Sequence, residues 1–239
     1  NPHPMLRLVQ GDVGSGKTLV MAHWVVRTLR GQGFEDVVVL YANRSLRSLI
    51  SSMLDQAWQQ QHAEFTPAFP WDRVHLMHVA ELLTDLLAER GLGLGDDRFD
   101  YEGQARRVME EGPVRERFRA VFIDEAQDLG HDVLKLVVEL VAPHQGRKPV
   151  LVFYDNAQNL YGRRVPSWRD LGLDMRGRSD VMRESFRSSR VIVETALNLV
   201  DQVTEGLMRD ADMRERASEG LLVESERGGL PWWRALYCA

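Results

Sequence analysis

Two nearly continuous runs of apolar residues constrain the fold of this chain most strongly. They are residues 37–40 (VVVL) and 150–153 (VLVF). A strand with one face in water alternates apolar and polar residues, whereas a strand covered on both faces is apolar throughout. Strands covered in this way are typical of parallel sheets that have helices on both sides.

Short β-type runs alternate along the chain with longer segments of helical periodicity. This alternation predicts an α/β fold, in which a parallel sheet is flanked by helices. The predicted strands are residues 5–10, 37–42, 74–78, 120–124 and 150–154. The predicted helices are residues 17–30, 45–60, 79–89, 101–111, 131–141 and 189–203. Residues 91–97 (GLGLGDD) are predicted to form a loop, and residues 220–223 a final apolar segment.

Composition limits the class of protein. The chain has 239 residues, of which 44% are hydrophobic and 27% charged, as in ordinary soluble globular proteins. It contains no apolar run near the ~18 residues that a membrane span needs, so we expect no membrane partner. The single cysteine, Cys238, excludes an internal disulfide and a thiolate-rich zinc site, so we expect a cytoplasmic location. The net charge of −5 does not indicate nucleic-acid binding, although a local basic groove can lie on an acidic protein.

Residues 11–18 (GDVGSGKT) match the pattern G-x-x-x-x-G-K-[ST] between a predicted strand and a predicted helix. In that context glycines let successive backbone N–H groups face an anion, and the helix N-terminus adds partial positive charge. Lys17 would reach the β- and γ-phosphates of ATP, and the Thr18 hydroxyl would ligate Mg²⁺. The predicted ATP-binding residues of this segment are Gly11, Asp12, Val13, Gly14, Ser15, Gly16, Lys17 and Thr18.

An acidic pair ends the predicted strand at residues 120–124. In a nucleotide hydrolysis site the first carboxylate holds the Mg²⁺ shell and the second polarises the attacking water. We therefore predict Asp124 as a metal ligand beside Thr18, and Glu125 as the general base. A glycine-rich turn or an acidic loop alone has an ordinary structural explanation, but the two together favour an ATP and Mg²⁺ site.

With both phosphate motifs, the chain from about Leu6 to Ser189 resembles the UvrD/Rep-like superfamily 1 helicases. The letters DEAQD at residues 124–128 are typical of that family. Residues 154–164 (YDNAQNLYGRR) resemble its D-D-x-Q-x-x-Y-x-x-R motif, and residues 184–189 (ESFRSS) resemble its N-Y-R-S-T motif. The resemblance implies that Gln158 senses the γ-phosphate, that Arg187 stabilises its transition-state charge, and that Phe186 stacks on adenine.

The resemblance also implies a partner, single-stranded DNA, without excluding RNA. Residues 41–44 (YANR) resemble the family's T-F-T-N-K segment, and Met77-His78 resembles its F-H-x-L/M segment. The implied DNA-binding residues are Tyr41, Asn43, Arg44, His78, Tyr161 and Arg163. Two structural alternatives stay open, since Tyr41 also fits an ordinary strand-end aromatic and His78 a structural histidine.

The sequence departs from the family pattern at three positions. Leu19 stands where the family usually has an arginine near adenine, and Ser185 stands where it has asparagine. Arg163 aligns with a tryptophan that stacks on DNA, so that base contact is not carried over.

The resemblance divides the chain into two parts. Residues 1–187 would form a first RecA-like P-loop NTPase domain, with a minimal accessory insertion at about residues 85–118. Residues 188–239 would form a linker helix and the truncated start of a second RecA-like domain. Because the chain begins with Asn1 rather than methionine, we expect it to be part of a longer protein whose second domain follows Ala239.

The function that these motifs imply is that of an ATP-dependent DNA helicase, a motor core that moves along a single strand. One alternative is the nucleic-acid-dependent ATPase motor of a nuclease or defence system, without unwinding. Another is an ATP-binding switch with no nucleic-acid partner. The motor motifs are common to the first two, so the sequence leaves them open.

Overall fold

The computed structural model describes residues 6–11, 14–31, 34–61, 67–155 and 167–182. Its six strands are β1 (Leu6–Gly11), β2 (Val37–Tyr41), β3 (Val74–His78), β4 (Ala120–Asp124), β5 (Val150–Tyr154) and β6 (Ser179–Met182). Its five α-helices are α1 (Lys17–Gly31), α2 (Arg47–Gln60), α3 (Val79–Glu89), α4 (Tyr101–Glu110) and α5 (His131–Glu139). Two short 3₁₀ turns lie at Arg44–Leu46 and Ala126–Asp128.

The strands form one sheet in the order β3-β2-β4-β5-β1-β6, and all of its pairings are parallel. The predicted α/β fold with a parallel sheet flanked by helices is therefore confirmed. Strand β5 lies between β1 and β4, although it follows both of them in the sequence. Because all strands run the same way, the segments that leave β1, β4 and β5 meet at one edge of the sheet.

Each face of the sheet packs against its own group of helices. Alternate residues of β2 show this, because Val37 and Val39 contact the cluster formed with α1 and α2. Val38 and Leu40 contact the cluster formed with α3, α4 and α5. All four side chains are buried, as their uninterrupted apolar run predicted.

Helix α4, within the predicted accessory insertion, packs on α5 in this core. Ala105 and Val108 are buried there. The carboxylate of Glu102 accepts hydrogen bonds from the backbone N–H groups of Asp132 and Val133, so α4 caps the N-terminus of α5. A Cβ atom on Gly130 would overlap the Glu102 carboxyl group, which explains the glycine immediately before α5.

The sequence did not predict strand β6. Its four residues, SDVM, are exposed or half-buried, so they lack the apolar pattern of a covered strand. The strand is held at the sheet edge by its pairing with β1 and by an ion pair of 2.8 Å between Arg7 and Asp180.

Smaller differences concern helix ends. The segment predicted as one helix over residues 45–60 begins with the 3₁₀ turn and continues as α2, and α5 ends at Glu139 rather than at residue 141. The predicted helix over residues 189–203 and the apolar segment 220–223 lie outside the described residues. In the part of the chain that the structure describes, no helix combines the length and the apolar character needed to cross a membrane.

Candidate functional site

The candidate site lies where the carboxyl ends of β1, β5 and β4 meet. In open α/β sheets, ligands bind in the crevice outside the carboxyl ends of the strands. Here the start of α1, the end of β4 and the residue after β5 bring Lys17, Asp124 and Asp155 together. Lys17 and Asp155 are 138 positions apart in the sequence, and Thr18 and Asp124 are 106 apart.

Glycines shape the segment between β1 and α1. Gly14 and Gly16 have φ angles of 79° and 90°, in the left-handed region that side chains rarely adopt. A Cβ atom on Gly11 would lie only 2.5 Å from Ser15 Oγ and 3.0 Å from Met182 Cβ, so this position also requires glycine. The backbone therefore folds tightly between the end of β1 and the first turn of α1.

Lys17 forms a buried ion pair at this edge. Its Nζ donates to the Gly11 carbonyl at 2.8 Å and lies 3.2 Å from Asp155 Oδ2. The two side chains are only 5% and 0% exposed, and charges so far from water need a partner. The only sequence signal for Asp155 is its place after β5, at the start of the segment that resembles the D-D-x-Q-x-x-Y-x-x-R motif.

Asp124 is a fully buried carboxylate at the end of β4. Its Oδ2 accepts a hydrogen bond of 3.1 Å from the Thr18 hydroxyl. Its Oδ1 is buried and has no hydrogen-bond partner among the described residues. Burial, and secondarily the neighbouring charge of Glu125, raise the pKa of Asp124 from 3.8 to about 6.

These oxygens fit a magnesium ion. Mg²⁺ prefers oxygen ligands, and proteins usually hold it by one or two carboxylates together with substrate phosphates and water. The buried Asp124 Oδ1 is an acceptor that lacks a partner, and the Thr18 hydroxyl lies beside the same carboxyl group. A divalent cation there would offset the cost of burying the Asp124 charge.

Glu125, the predicted general base, follows β4 with φ 51° and ψ 50°. A non-glycine residue in the left-handed region is strained, and such strain occurs often at functional sites. The carboxylate accepts a hydrogen bond of 2.6 Å from Gln127 Nε2, and Gln127 Oε1 accepts one of 2.9 Å from the Asp155 backbone N–H. The predicted base is thus connected to the Lys17 ion pair.

The structure buries two of the predicted DNA-binding residues. Tyr41 is 1% exposed, and its ring packs edge-on against His78 with centroids 5.6 Å apart. His78 Nδ1 accepts from the Ala80 N–H at 3.0 Å, which leaves Nε2 to donate to the Ala42 carbonyl at 2.6 Å. Burial lowers the pKa of His78, which keeps the ring neutral for these two bonds.

The structural alternatives that the sequence left open for Tyr41 and His78 are therefore both present in the fold. Stacking of a base on Tyr41 would require the ring to leave this packed position. Asn43 and Arg44 are exposed instead, and Asn43 Oδ1 caps the following turn by accepting from the Ser45 N–H at 3.0 Å. Of this segment, the residues that a strand of DNA could reach directly are Asn43 and Arg44.

The remaining predicted site residues lie outside the described residues. They are Asp12, Val13, Gln158, Tyr161, Arg163, Phe186 and Arg187. Strand β6 ends at Met182, which pairs with Gly11 at the start of the glycine-rich segment. The chain therefore leaves β6 beside this segment, five positions before Arg187.

The raised pKa of Asp124 predicts a pH-dependent stability. Between about pH 3.8 and about pH 6 the folded state binds more protons than the unfolded state, so stability falls as pH rises. Asp124→Asn removes this loss. We expect the free energy of unfolding of Asp124→Asn to increase, relative to that of the wild type, by about 2 kcal/mol between about pH 4.5 and about pH 7.5. Urea unfolding in the presence of a chelator measures it.

Asp72→Asn is the matched control for that series, because Asp72 is exposed and its substitution removes one carboxylate without relieving burial. A stability advantage of Asp124→Asn that stays constant across this pH range would show that burial does not perturb Asp124.

No model of a known protein family matches this chain, and no curated protein sequence matches it significantly. The resemblance to UvrD/Rep-like helicases therefore rests on the motif residues themselves.

Proposed function

We propose that this chain binds Mg²⁺·ATP at the carboxyl edge of its sheet and forms the first RecA-like domain of an ATP-dependent DNA helicase. One observation carries the nucleotide-binding part of the proposal, whereas the helicase assignment rests on the motif resemblance. The Thr18 hydroxyl lies 3.1 Å from a fully buried Asp124 carboxylate whose other oxygen has no partner among the described residues. The Thr18 hydroxyl and the unpartnered Asp124 oxygen lie beside a buried lysine at the start of a helix. This arrangement is suited to a phosphate with a bound metal ion.

Each residue has a role in the proposed hydrolysis. Lys17 would exchange its bond to Asp155 for the β- and γ-phosphates of ATP, which are stronger anionic partners. Mg²⁺, held by Thr18 and Asp124, would supply charge neutralisation on the phosphates. Glu125 would take a proton from the attacking water while the water oxygen forms a bond to the γ-phosphorus. The bond from that phosphorus to the bridging oxygen then breaks, which releases ADP and phosphate.

The resemblance to UvrD/Rep-like helicases implies three further residues of this nucleotide site. Gln158 would sense the γ-phosphate, Arg187 would stabilise its transition-state charge, and Phe186 would stack on adenine. Phe186, Arg187 and Gln158 lie outside the described residues, so their assignment rests on the motif resemblance. A second RecA-like domain would supply the opposite wall, so we expect this chain alone to bind nucleotide weakly and to hydrolyse it slowly.

The sheet register supports a DNA contact near the nucleotide. Tyr41 at the end of β2 pairs with Asp124 at the end of β4, so the segment after β2 leaves the sheet beside the proposed metal site. Asn43 and Arg44 are exposed in that segment. Opening and closing of the cleft between two domains would move a strand that binds there.

Two substitutions test the nucleotide site. Lys17→Ala removes the phosphate ligand and should abolish ATP binding. Glu125→Gln should leave binding intact and slow hydrolysis by about 10²–10⁴-fold, because a positioned general base contributes about that much. Fluorescent-nucleotide binding and single-turnover hydrolysis measure the two effects.

Lys135→Ala is the matched control, since Lys135 is an exposed lysine on α5. Unchanged ATP binding in Lys17→Ala would refute the proposed site. Normal hydrolysis in Glu125→Gln would refute only the assignment of the base.

Binding of single-stranded DNA separates a motor from an ATP-binding switch. The acidic net charge of −5 favours the switch. For a motor, the logarithm of the affinity should fall linearly with the logarithm of the salt concentration, because bound phosphates release counterions. Arg44→Ala should weaken binding and lower that slope by about one unit.

Arg27→Ala is its control, since Arg27 is exposed in the second half of α1, which leads away from the carboxyl edge. DNA binding that is absent or insensitive to salt would favour the switch. Strand-displacement assays separate a helicase from a motor that does not unwind.

A further inference from the structure

We propose that Gln127 is a positioning residue that fixes the Glu125 carboxylate relative to Lys17. This inference rests on the proposed function, in which Glu125 accepts the proton of the attacking water. Gln127 lies in the short turn after β4 and is only 6% exposed. Its side chain contacts the predicted base directly, and it also contacts the residue that pairs with the lysine.

The hydrogen bonds of Gln127 with Asp155 and Glu125 define the orientation of its amide. The backbone N–H of Asp155 can only donate, so it must face Oε1, at 2.9 Å. An ionised Glu125 carboxylate can only accept, so it must face Nε2, at 2.6 Å. The two contacts agree on one orientation, which removes the usual ambiguity between the amide oxygen and nitrogen.

The network continues from Asp155 to the phosphate-binding lysine. The side chain of Asp155 is fully buried and lies 3.2 Å from Lys17 Nζ, while its backbone N–H donates to Gln127. One continuous set of contacts therefore links Glu125, Gln127, Asp155 and Lys17. These contacts join the turn after β4, the end of β5 and the start of α1. They therefore fix the position of the predicted base relative to the lysine.

Glu125 needs such a contact because its side chain is not fixed by burial. The residue lies in the left-handed region, at φ 51°, and its side chain is only half-buried. A short hydrogen bond from an amide to a charged carboxylate is stronger than one between neutral groups, and partial burial strengthens it further. Gln127 can therefore select one position for the carboxylate among those that the half-exposed side chain could reach.

No other side chain of the same length supplies both contacts. Methionine has a similar shape but no amide. Glutamate can still accept from the Asp155 N–H, but it places a second negative charge against Glu125. Gln127→Met therefore removes both contacts, whereas Gln127→Glu removes only the contact to the base.

The experiment compares these variants in Mg²⁺·ATP binding and in single-turnover hydrolysis by the whole chain. We expect Gln127→Met to slow hydrolysis by about 10–100-fold, since a displacement of about 1 Å can cost that much, while the Kd for ATP changes less than about twofold. Gln127→Glu should be at least as slow. If Gln127 served only to hold Asp155, the glutamate variant would restore the wild-type rate.

Gln104→Met is the matched control, because Gln104 is also a buried glutamine, on α4, and its side-chain amide donates to the Asp97 carbonyl rather than to Glu125 or Asp155. We expect it to leave the hydrolysis rate within about twofold of wild type, since it displaces no group of the site. Wild-type hydrolysis in Gln127→Met or in Gln127→Glu would overturn the proposal. So would parallel losses of ATP affinity and hydrolysis in Gln127→Met.

A second measurement does not depend on turnover. The NMR signals of the Gln127 side-chain amide should shift when Glu125 is replaced by alanine, whereas those of Gln104 should not. Unchanged Gln127 signals would also overturn the proposal. Failure of the proposed function would give a different result, because the wild-type chain would then bind no Mg²⁺·ATP. The positioning role of Gln127 would be refuted together with it.

Discussion

The buried carboxylate of Asp124 is the constraint on which the rest of this edge depends. A charge removed from water costs several kcal/mol unless neighbouring groups stabilise it, and here burial raises the pKa of Asp124 to about 6. The hydrogen bond from Thr18 compensates only one of its two oxygens. A cation bound there would stabilise the buried negative charge of Asp124. The proposed Mg²⁺ site follows from that electrostatic need.

The neighbouring charges are compensated within the protein. Lys17 pairs with Asp155, and Gln127 connects the backbone of Asp155 to Glu125. These contacts exist because β5 lies between β1 and β4, which places the ends of three distant segments side by side. Nucleotide binding would act on this arrangement through Lys17, since its bond to Asp155 competes with a bond to phosphate.

The covered strands could be predicted from sequence because their signal is local. The bounds predicted for β3, β4 and β5 match the structure, and β4 and β5 are the two of these strands that have a continuous apolar run and are buried throughout. Strand β6 could not be predicted, because an exposed edge strand of sequence SDVM carries no such run. The contacts of Asp155 and Gln127 depend on the order of strands in the sheet, which periodicity does not encode. Motif likeness assigned Tyr41 and His78 to DNA binding, whereas their buried positions match the structural alternatives that the residues themselves had left open.

The most direct test of the central claim is the magnesium dependence of ATP binding, measured by isothermal titration calorimetry. If Asp124 and Thr18 would hold a metal that neutralises charge on the phosphates, affinity should be at least about tenfold higher with Mg²⁺ than with a chelator, a difference of about 1.4 kcal/mol. Asp124→Asn should remove most of that difference without abolishing the metal-free binding that Lys17 supports. Equal affinity with and without Mg²⁺, or no binding at all, would contradict the account.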